Sequence, residues 1–260
     1  MVGALLAIFS WREVVVLNVV PGLVMSLLLL ACLGSLTLAR KAGPAGAASP
    51  TNAEPSQSLA NYLQGLRELM RNKSLVLLST SGAFRSMTQN ALLTFLPLFL
   101  AREMGYSPWH IGLAMSVLQV AGLAAAPLAG HLSDRLGRRS VTMGSMAMTA
   151  VVLVFMAVAG NSKAFVFFIA VLGFFLYAIR PVLQAWLLDA TPRHMGGSSV
   201  GILFGAQSLG ASIAPLIGGF IADHLGLSAT FYFLAATIVA ANLFILLMPR
   251  GEGATARRPG

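Results

Sequence analysis

Two arginines lie deep inside apolar stretches of the chain, where a fixed charge is expensive. Arg85 and Arg180 each interrupt a run of apolar residues long enough to cross a bilayer. Arginine at that depth costs at least about 2.5–3.5 kcal/mol, so its side chain normally faces a cavity or a charged partner. Because arginine stays protonated at working pH, the two residues could attract an anionic or polar group but could not carry a proton.

Polar neighbours extend both arginine positions along a helix face. Gln89 follows Arg85 by four residues, while Tyr177 precedes Arg180 by three and Gln184 follows it by four. Residues three or four apart share one face of a helix. These five residues are therefore candidates to line a cavity that binds a substrate. The alternative is that the two arginines pair with carboxylates elsewhere and only hold the helices together.

The composition indicates that a membrane bundle positions these residues. Of the 260 residues, 57% are hydrophobic and only 10% are charged, against about 25% charged in soluble domains. Seven apolar blocks of the sequence reach the roughly 20 residues that a helix needs to cross the hydrocarbon core. They cover approximately residues 14–38, 74–100, 110–130, 140–160, 163–188, 198–222 and 228–248. We therefore predict an all-α, polytopic membrane helix bundle with about seven transmembrane helices, and exclude a soluble globule.

The basic residues predict how the bundle is oriented. The net charge is +9, and twelve of the 17 Lys and Arg residues fall on one side of the predicted spans, with three on the other side. Cytoplasmic loops carry such an excess, so we expect a multi-pass protein of the cell membrane with a cytoplasmic C-terminus. Because the cations lie between apolar blocks instead of forming one basic patch, we expect no nucleic-acid partner.

The sequence offers little for catalysis or metal binding. Cys32 is the only cysteine, which excludes a disulfide scaffold and a cysteine-rich zinc site. All carboxylates and histidines fall near the predicted span ends, so no proton carrier lies at mid-depth. We expect no enzyme activity, no catalytic residues, no metal and no cofactor.

The long loop after the first span has two parts. Residues 40–58 are rich in Pro, Ala, Ser and Gly and are predicted to be disordered. Residues 59–70 carry apolar side chains at helical spacing, which is typical of an amphipathic helix on the membrane surface or of a cytosolic helix packed on the bundle. The predicted divisions are residues 1–39, this linker (40–73), a six-helix bundle (74–249) and a tail (250–260).

A basic loop between the third and fourth predicted spans contains an ordered motif. The motif runs from Gly130 to Arg139 and reads GHLSDRLGRR. Asp134 is predicted to cap the following helix, and Gly137 to form a tight turn. The cations of the motif, which should hold the loop in the cytoplasm, are Arg135, Arg138 and Arg139.

This motif resembles the loop signature of the major facilitator superfamily, Gly-x-Leu-x-Asp-Arg-x-Gly-Arg-Arg. The resemblance implies that the seven spans correspond to helices six to twelve of the family, a C-terminal six-helix half with one preceding helix. It also implies that Asp189 pairs with Arg135 or Arg138 as a latch in one transport state, beside Arg193. The alternative is a solvated loop charge.

The resemblance further implies secondary active transport of a small molecule by alternating access across the lipid bilayer. Export of drugs or metabolites is the first expectation, with protons as a candidate coupling ion, and uptake of an anion or sugar is the alternative. Family members have twelve helices in two halves with the substrate path between them. We therefore expect that transport needs an N-terminal half or a partner chain. The remaining interpretation is a truncated membrane protein that does not transport.

The sixth span carries small residues at every fourth position, namely Ala206, Gly210, Ala214 and Gly218. Such a ridge allows two helices to approach closely. We predict that it packs against another helix. In the family frame it could also slide during transport.

Overall fold

The computed structural model describes residues 13, 19–31, 69–159, 164–191 and 195–248. The chain divides into two units, Met1–Tyr62 and Leu63–Gly260. In the first unit, helix α1 (Val19–Ala31) is apolar but shorter than a membrane span, and it lies within the first predicted span. The linker predicted to be disordered, most of the predicted amphipathic helix and the C-terminal tail lie outside the described residues, so the predicted divisions of the chain stay predictions.

Six further helices form the described part of the second unit, and each coincides with a predicted span. They are α2 (Lys73–Arg102), α3 (Pro108–Leu136), α4 (Arg138–Ala159), α5 (Ala164–Asp189), α6 (Gly196–Leu225) and α7 (Leu227–Leu246). The described residues contain no strand. The predicted fold class, an all-α helical bundle, is confirmed.

Five of these helices, α3 to α7, are long and apolar enough to cross a membrane. The difference from the seven predicted spans concerns α1 and α2. Helix α2 has 30 residues, but it carries Arg85 and many hydroxyl and amide side chains. Two of these hydroxyl groups bond to α7, because Ser81 Oγ donates to the Ala241 carbonyl at 2.9 Å and Thr88 meets the Thr237 hydroxyl at 2.9 Å. Part of the polar content of α2 is therefore satisfied inside the bundle.

Local sequence explains where several helices begin and end. The side-chain oxygen of Asn72 accepts hydrogen bonds from the backbone N–H groups of Ser74 and Leu75, at 3.0 and 3.3 Å, and so caps the start of α2. Gly137 separates α3 from α4 and Gly226 separates α6 from α7, with φ values of 88° and 87°. Glycine adopts these left-handed angles without the steric cost that other residues meet.

The helices pack in a defined pattern around an apolar core. Helix α2 packs mainly on α6 and α7, α3 packs on α5, and α4 packs on α5 and α7. The rings of Phe99, Phe165 and Phe231 are buried together, with centroids 4.9–5.7 Å apart. This cluster joins α2, α5 and α7 near one end of the bundle.

The small-residue ridge of α6 faces α2. Gly210, Ala214 and Gly218 are buried, and Ala206 is half-buried. A Cβ atom added at Gly210 would collide with the backbone carbonyl of Ala83. The glycine therefore permits the close approach of α6 to α2, in keeping with the packing interpretation of the ridge.

Large apolar side chains cover much of the outside of the bundle. Leu123, Leu216 and Val158 are 76%, 75% and 70% exposed. A soluble monomer rarely exposes extended apolar patches, whereas a helical bundle in lipid presents such a surface by default.

Candidate functional site

An open groove of about 400 Å³ lies between α3 and α5. Helix α5 contributes Tyr177, Arg180 and Gln184, three of the residues that the sequence proposed for a cavity. The remaining lining residues come from α3, apart from one on α5, and are Gln119, Gly122, Leu123, Ala126 and Pro181. The groove thus combines one cation, two amides and a phenol ring with an apolar wall.

Helix spacing and close packing build this groove. Tyr177, Arg180 and Gln184 occur at intervals of three and four residues, so they project from one face of α5. On α3, Gly122 lets that face approach, since a Cβ atom added there would lie 2.7 Å from Tyr177 Cβ. Gly173 on α5 likewise leaves no room for a Cβ beside the backbone of Leu118. Two glycines, one on each helix, therefore set the separation of α3 and α5.

Arg85 and Gln89 do not line the groove and lie behind it on α2. Arg85 is 2% exposed, and its Nη1 donates a hydrogen bond to Gln89 Oε1 at 2.9 Å. The Nε of Arg85 is buried and has no hydrogen-bond partner among the described residues. Gln89 therefore holds one edge of the guanidinium group and leaves the Nε side free.

Arg85 and Arg180 lie near each other, although only Arg180 lines the groove. Arg180 is exposed in the groove, and it is close enough to Arg85 for the two charges to repel each other. Tyr177 lies near both arginines. Its hydroxyl lies beside Gln89 without the geometry of a good hydrogen bond. The exposed Arg180, the buried Arg85 and the Tyr177 ring thus lie near one another.

The sequence found Arg180, Tyr177 and Gln184 but missed the α3 wall. Gln119 on α3 is exposed and lines the groove. Gln119, Gly122 and Ala126 are spaced three and four residues apart on α3. That spacing predicts one face of the helix, but only its position opposite Arg180 marks the face as part of a site.

The groove contains no carboxylate among the described residues. Described acidic side chains on the helices, such as Asp134, Asp189 and Asp223, lie near helix ends. In the same part of the chain, no group of three or more His, Cys, Asp and Glu side chains converges on a metal position. The chemistry available in the groove is therefore hydrogen-bond donation and positive charge.

The basic loop motif anchors three helix ends. Arg138 Nη1 lies 2.7 Å from Asp189 Oδ2, which joins the start of α4 to the end of α5. Arg139 donates from Nη1 to the Met248 carbonyl at 2.8 Å and from Nη2 to the Leu246 carbonyl at 2.9 Å, at the end of α7. The structure thus brings Asp189 to Arg138, whereas the latch role of this pair stays a prediction.

The other motif residues have different positions. The sequence predicted that Asp134 caps α4, and this prediction is wrong. Asp134 lies inside α3, which continues through Leu136 and is followed by Gly137. The Gly130 carbonyl accepts a hydrogen bond from Ser133 Oγ at 2.7 Å. Arg135 is exposed in the last turn of α3. Arg193 lies outside the described residues.

Comparison with known proteins agrees with the motif. Residues 78–260 match the sequence profile of the Major Facilitator Superfamily. The multidrug resistance protein MdtG of Klebsiella pneumoniae (strain 342) is 34% identical over 163 residues, which cover 61% of this chain and 39% of that protein. MdtG of Yersinia enterocolitica serotype O:8 is 35% identical over 155 residues, which cover 57% of this chain and 37% of that protein.

A solved structure shows the same fold. The in meso crystal structure of the POT family transporter PepTSo superposes with a TM-score of 0.61, over 68% of this chain and 39% of that chain. The two sequences are 15% identical, so the likeness concerns the fold alone. The matched region spans about two fifths of the length of the curated relatives.

These findings place the chain in a membrane. Five helices are apolar and long enough to span it, and the profile match covers well over half of the residues. The prediction of a multi-pass membrane protein is confirmed, while the side of the C-terminus stays a prediction. The chain belongs to the Major Facilitator Superfamily, which is a family of transporters and not of enzymes.

Proposed function

We propose that this chain takes part in secondary active transport of a small molecule across the cell membrane by alternating access. The observation that carries the proposal is the groove between α3 and α5, which presents Arg180 and two glutamines on otherwise apolar helices. Transporter binding sites typically lie near the bilayer midplane, at the interface between structural repeats. In a bundle of this family, a polar groove could form one side of such a site.

Export of drugs or metabolites is the specific activity that we propose. It is supported by the 32–35% identity to multidrug resistance proteins. The groove also has an apolar side, formed by Leu123, Ala126 and Pro181, which suits amphipathic compounds. Uptake would use the same groove, so the direction of transport must be measured.

The opposite wall of the substrate path would come from an N-terminal half or from a partner chain. Alternating access moves one half against the other around the site. Since the groove contains no carboxylate among the described residues, a proton-coupling group would belong to that other wall. Protons stay the candidate coupling ion that the family resemblance implies, and loss of transport when the proton gradient is dissipated is the test.

Dye efflux from cells that lack their main drug pumps tests the proposal. The full chain is expressed alone and together with the part of Klebsiella pneumoniae MdtG outside the aligned region, and the accumulation of a cationic dye (ethidium) and of an anionic dye (carboxyfluorescein) is measured. Transport predicts lower accumulation than with an empty vector in at least one of these cell lines, and loss of the difference when the proton gradient is dissipated. Equal accumulation in all lines, with the chain shown to be in the membrane, would contradict the proposal.

A matched pair of variants ties efflux to the groove. Leu123 and Leu216 are 76% and 75% exposed, but only Leu123 lines the groove. Leu123→Trp should fill the groove and reduce efflux about tenfold, since a bulky side chain there displaces substrate. Leu216→Trp adds the same bulk on α6 and should leave efflux unchanged. If the two variants change efflux equally, the groove is not part of the substrate path.

A further inference from the structure

The two arginines of the site have no negative partner in the described part of the chain. Arg138 with Asp189 is the ion pair found there, and neither Arg85 nor Arg180 is joined to a carboxylate. Arg180 is exposed in the groove, whereas Arg85 is 2% exposed behind it. A buried charge without a partner is costly in a medium of low dielectric constant, and a second cation nearby increases the cost. The arrangement is therefore stabilised by whichever anion enters the groove.

Arg85 is fixed at one edge of its guanidinium group and unpartnered at the other. Gln89 accepts from Nη1 at 2.9 Å, and the buried Nε has no partner among the described residues. Because this side chain does not line the groove, any effect it has on a ligand there would come from its charge and not from contact. Arg85 is thus a positioning residue, and Arg180 is the residue that can touch the ligand.

The lining of the groove limits which ligands fit it. Gln119 and Gln184 flank Arg180 with amide donors, and Leu123 and Ala126 form an apolar wall. The volume of about 400 Å³ lies within the range of about 300–1,000 Å³ typical of small-molecule sites. Guanidinium groups bind carboxylate and phosphate oxygens with two parallel hydrogen bonds.

We propose that the groove binds small amphipathic organic anions, with the oxyanion on Arg180 and the apolar body against Leu123 and Ala126. This inference rests on the proposed function, because it names the substrate class of the same groove. A neutral compound of equal shape would leave both cations uncompensated and so bind more weakly. A cationic compound would be repelled.

Binding of a matched series of probes to the purified full chain in phosphatidylcholine nanodiscs tests the inference. Benzoate, benzamide and benzylamine share a ring and differ in charge, and their affinities can be compared by saturation-transfer NMR and calorimetry. Benzoate should bind at least about tenfold more tightly than benzamide, and benzylamine should not bind, as charge complementarity requires. Equal binding of benzoate and benzamide would overturn the proposal.

Arginine variants show whether the charge acts at the expected place. Arg180→Gln should weaken benzoate binding about tenfold or more and leave benzamide unaffected, and Arg180→Lys should restore part of the affinity. Arg85→Gln should weaken benzoate binding by a smaller factor, again without affecting benzamide. Arg102→Gln removes the same charge from the exposed end of α2 and should change nothing. If Arg180→Gln lowers thermal stability but not benzoate affinity, the arginine pairs with protein instead, and the inference fails.

Two further outcomes separate this inference from the transport proposal and from lipid binding. Efflux of neutral or cationic dyes without benzoate binding would refute the anion site while transport stands. Benzoate binding that depends on Arg180, without efflux, would support the site and refute transport. If phosphatidylglycerol nanodiscs abolish benzoate binding even at high salt, where the membrane surface potential is screened, a lipid headgroup occupies the groove, and the proposal of a soluble anion is wrong.

Discussion

Replacing Gly122 with alanine should force α3 away from α5 and lower the stability of the bundle. A Cβ atom at this position would lie 2.7 Å from both Cβ and Cγ of Tyr177. Carbon atoms in contact are about 3.5–4.0 Å apart, so the two helices must separate locally by about 0.8 Å or more. Rotation of the Tyr177 side chain cannot relieve the clash, because its Cβ is fixed to the backbone.

The size of the effect follows from two opposing terms. Inserting a methyl group into a packed contact costs about 1–3 kcal/mol, while replacing glycine by alanine inside a helix gains at most about 1 kcal/mol. Gly201 on α6 is the matched control, because nothing lies within 4 Å of a Cβ atom added there. Gly201→Ala therefore gains helix propensity without a steric cost. The Gly122→Ala variant should be about 1–3 kcal/mol less stable than this control.

Thermal unfolding of the purified variants in detergent measures this difference. The helical signal at 222 nm and the recovery of monodisperse protein after heating give Tm for each variant. At about 2–4 °C per kcal/mol for a chain of this size, Gly122→Ala should melt about 2–12 °C below Gly201→Ala. Benzoate binding should also weaken, since the clash displaces Tyr177. A Gly122→Ala protein that melts at or above the control would refute the close contact of α3 with α5.

Two further predictions concern the anchored helix ends. Asp189→Arg should lower efflux, and adding Arg138→Asp in a double variant should restore part of it. Adding Arg135→Asp should restore nothing, because Arg138 is the residue 2.7 Å from Asp189. Rescue by both arginine variants, or by neither, would reject the pairing. Since both side chains are partly exposed, the pair contributes only about 0–1 kcal/mol, and Tm should hardly change. Arg139→Gln removes two hydrogen bonds from a cation to backbone carbonyls. The loss of about 1 kcal/mol or more should lower Tm by several degrees, and Arg139→Lys should lower it less. An unchanged Tm would mean that these bonds do not secure the end of α7.

Hydropathy located the helices because the length of an apolar run is a local property. The predicted spans 74–100 and 228–248 differ from α2 and α7 by only a few residues at each end. The loop motif was equally informative, since it indicated the family that the profile match then showed. The turn at Gly137 was also predictable, because a positive φ suits glycine.

Local reasoning failed where a helix could continue or stop. Asp134 has the residue type of a helix cap, but α3 extends past it to Leu136. Each residue added to an existing helix gains a hydrogen bond at little further cost. Helix α3 therefore continues to Leu136 and stops where Gly137 adopts a positive φ, which is incompatible with a right-handed helix. An acidic residue near a helix end therefore does not by itself mark a helix start.

The sequence by itself determined that the chain is a helical membrane protein, which family signature it carries and how deep each arginine lies along its helix. The tertiary structure alone decided that Arg180 is exposed in a groove with Gln119, while Arg85 is buried behind it and bonded to Gln89. Likewise, only packing showed that Arg139 secures the end of α7. The physical reason is that depth along a helix follows from residue count, whereas burial and partners depend on how neighbouring helices rotate and approach, which distant residues such as Gly122 and Gly173 control.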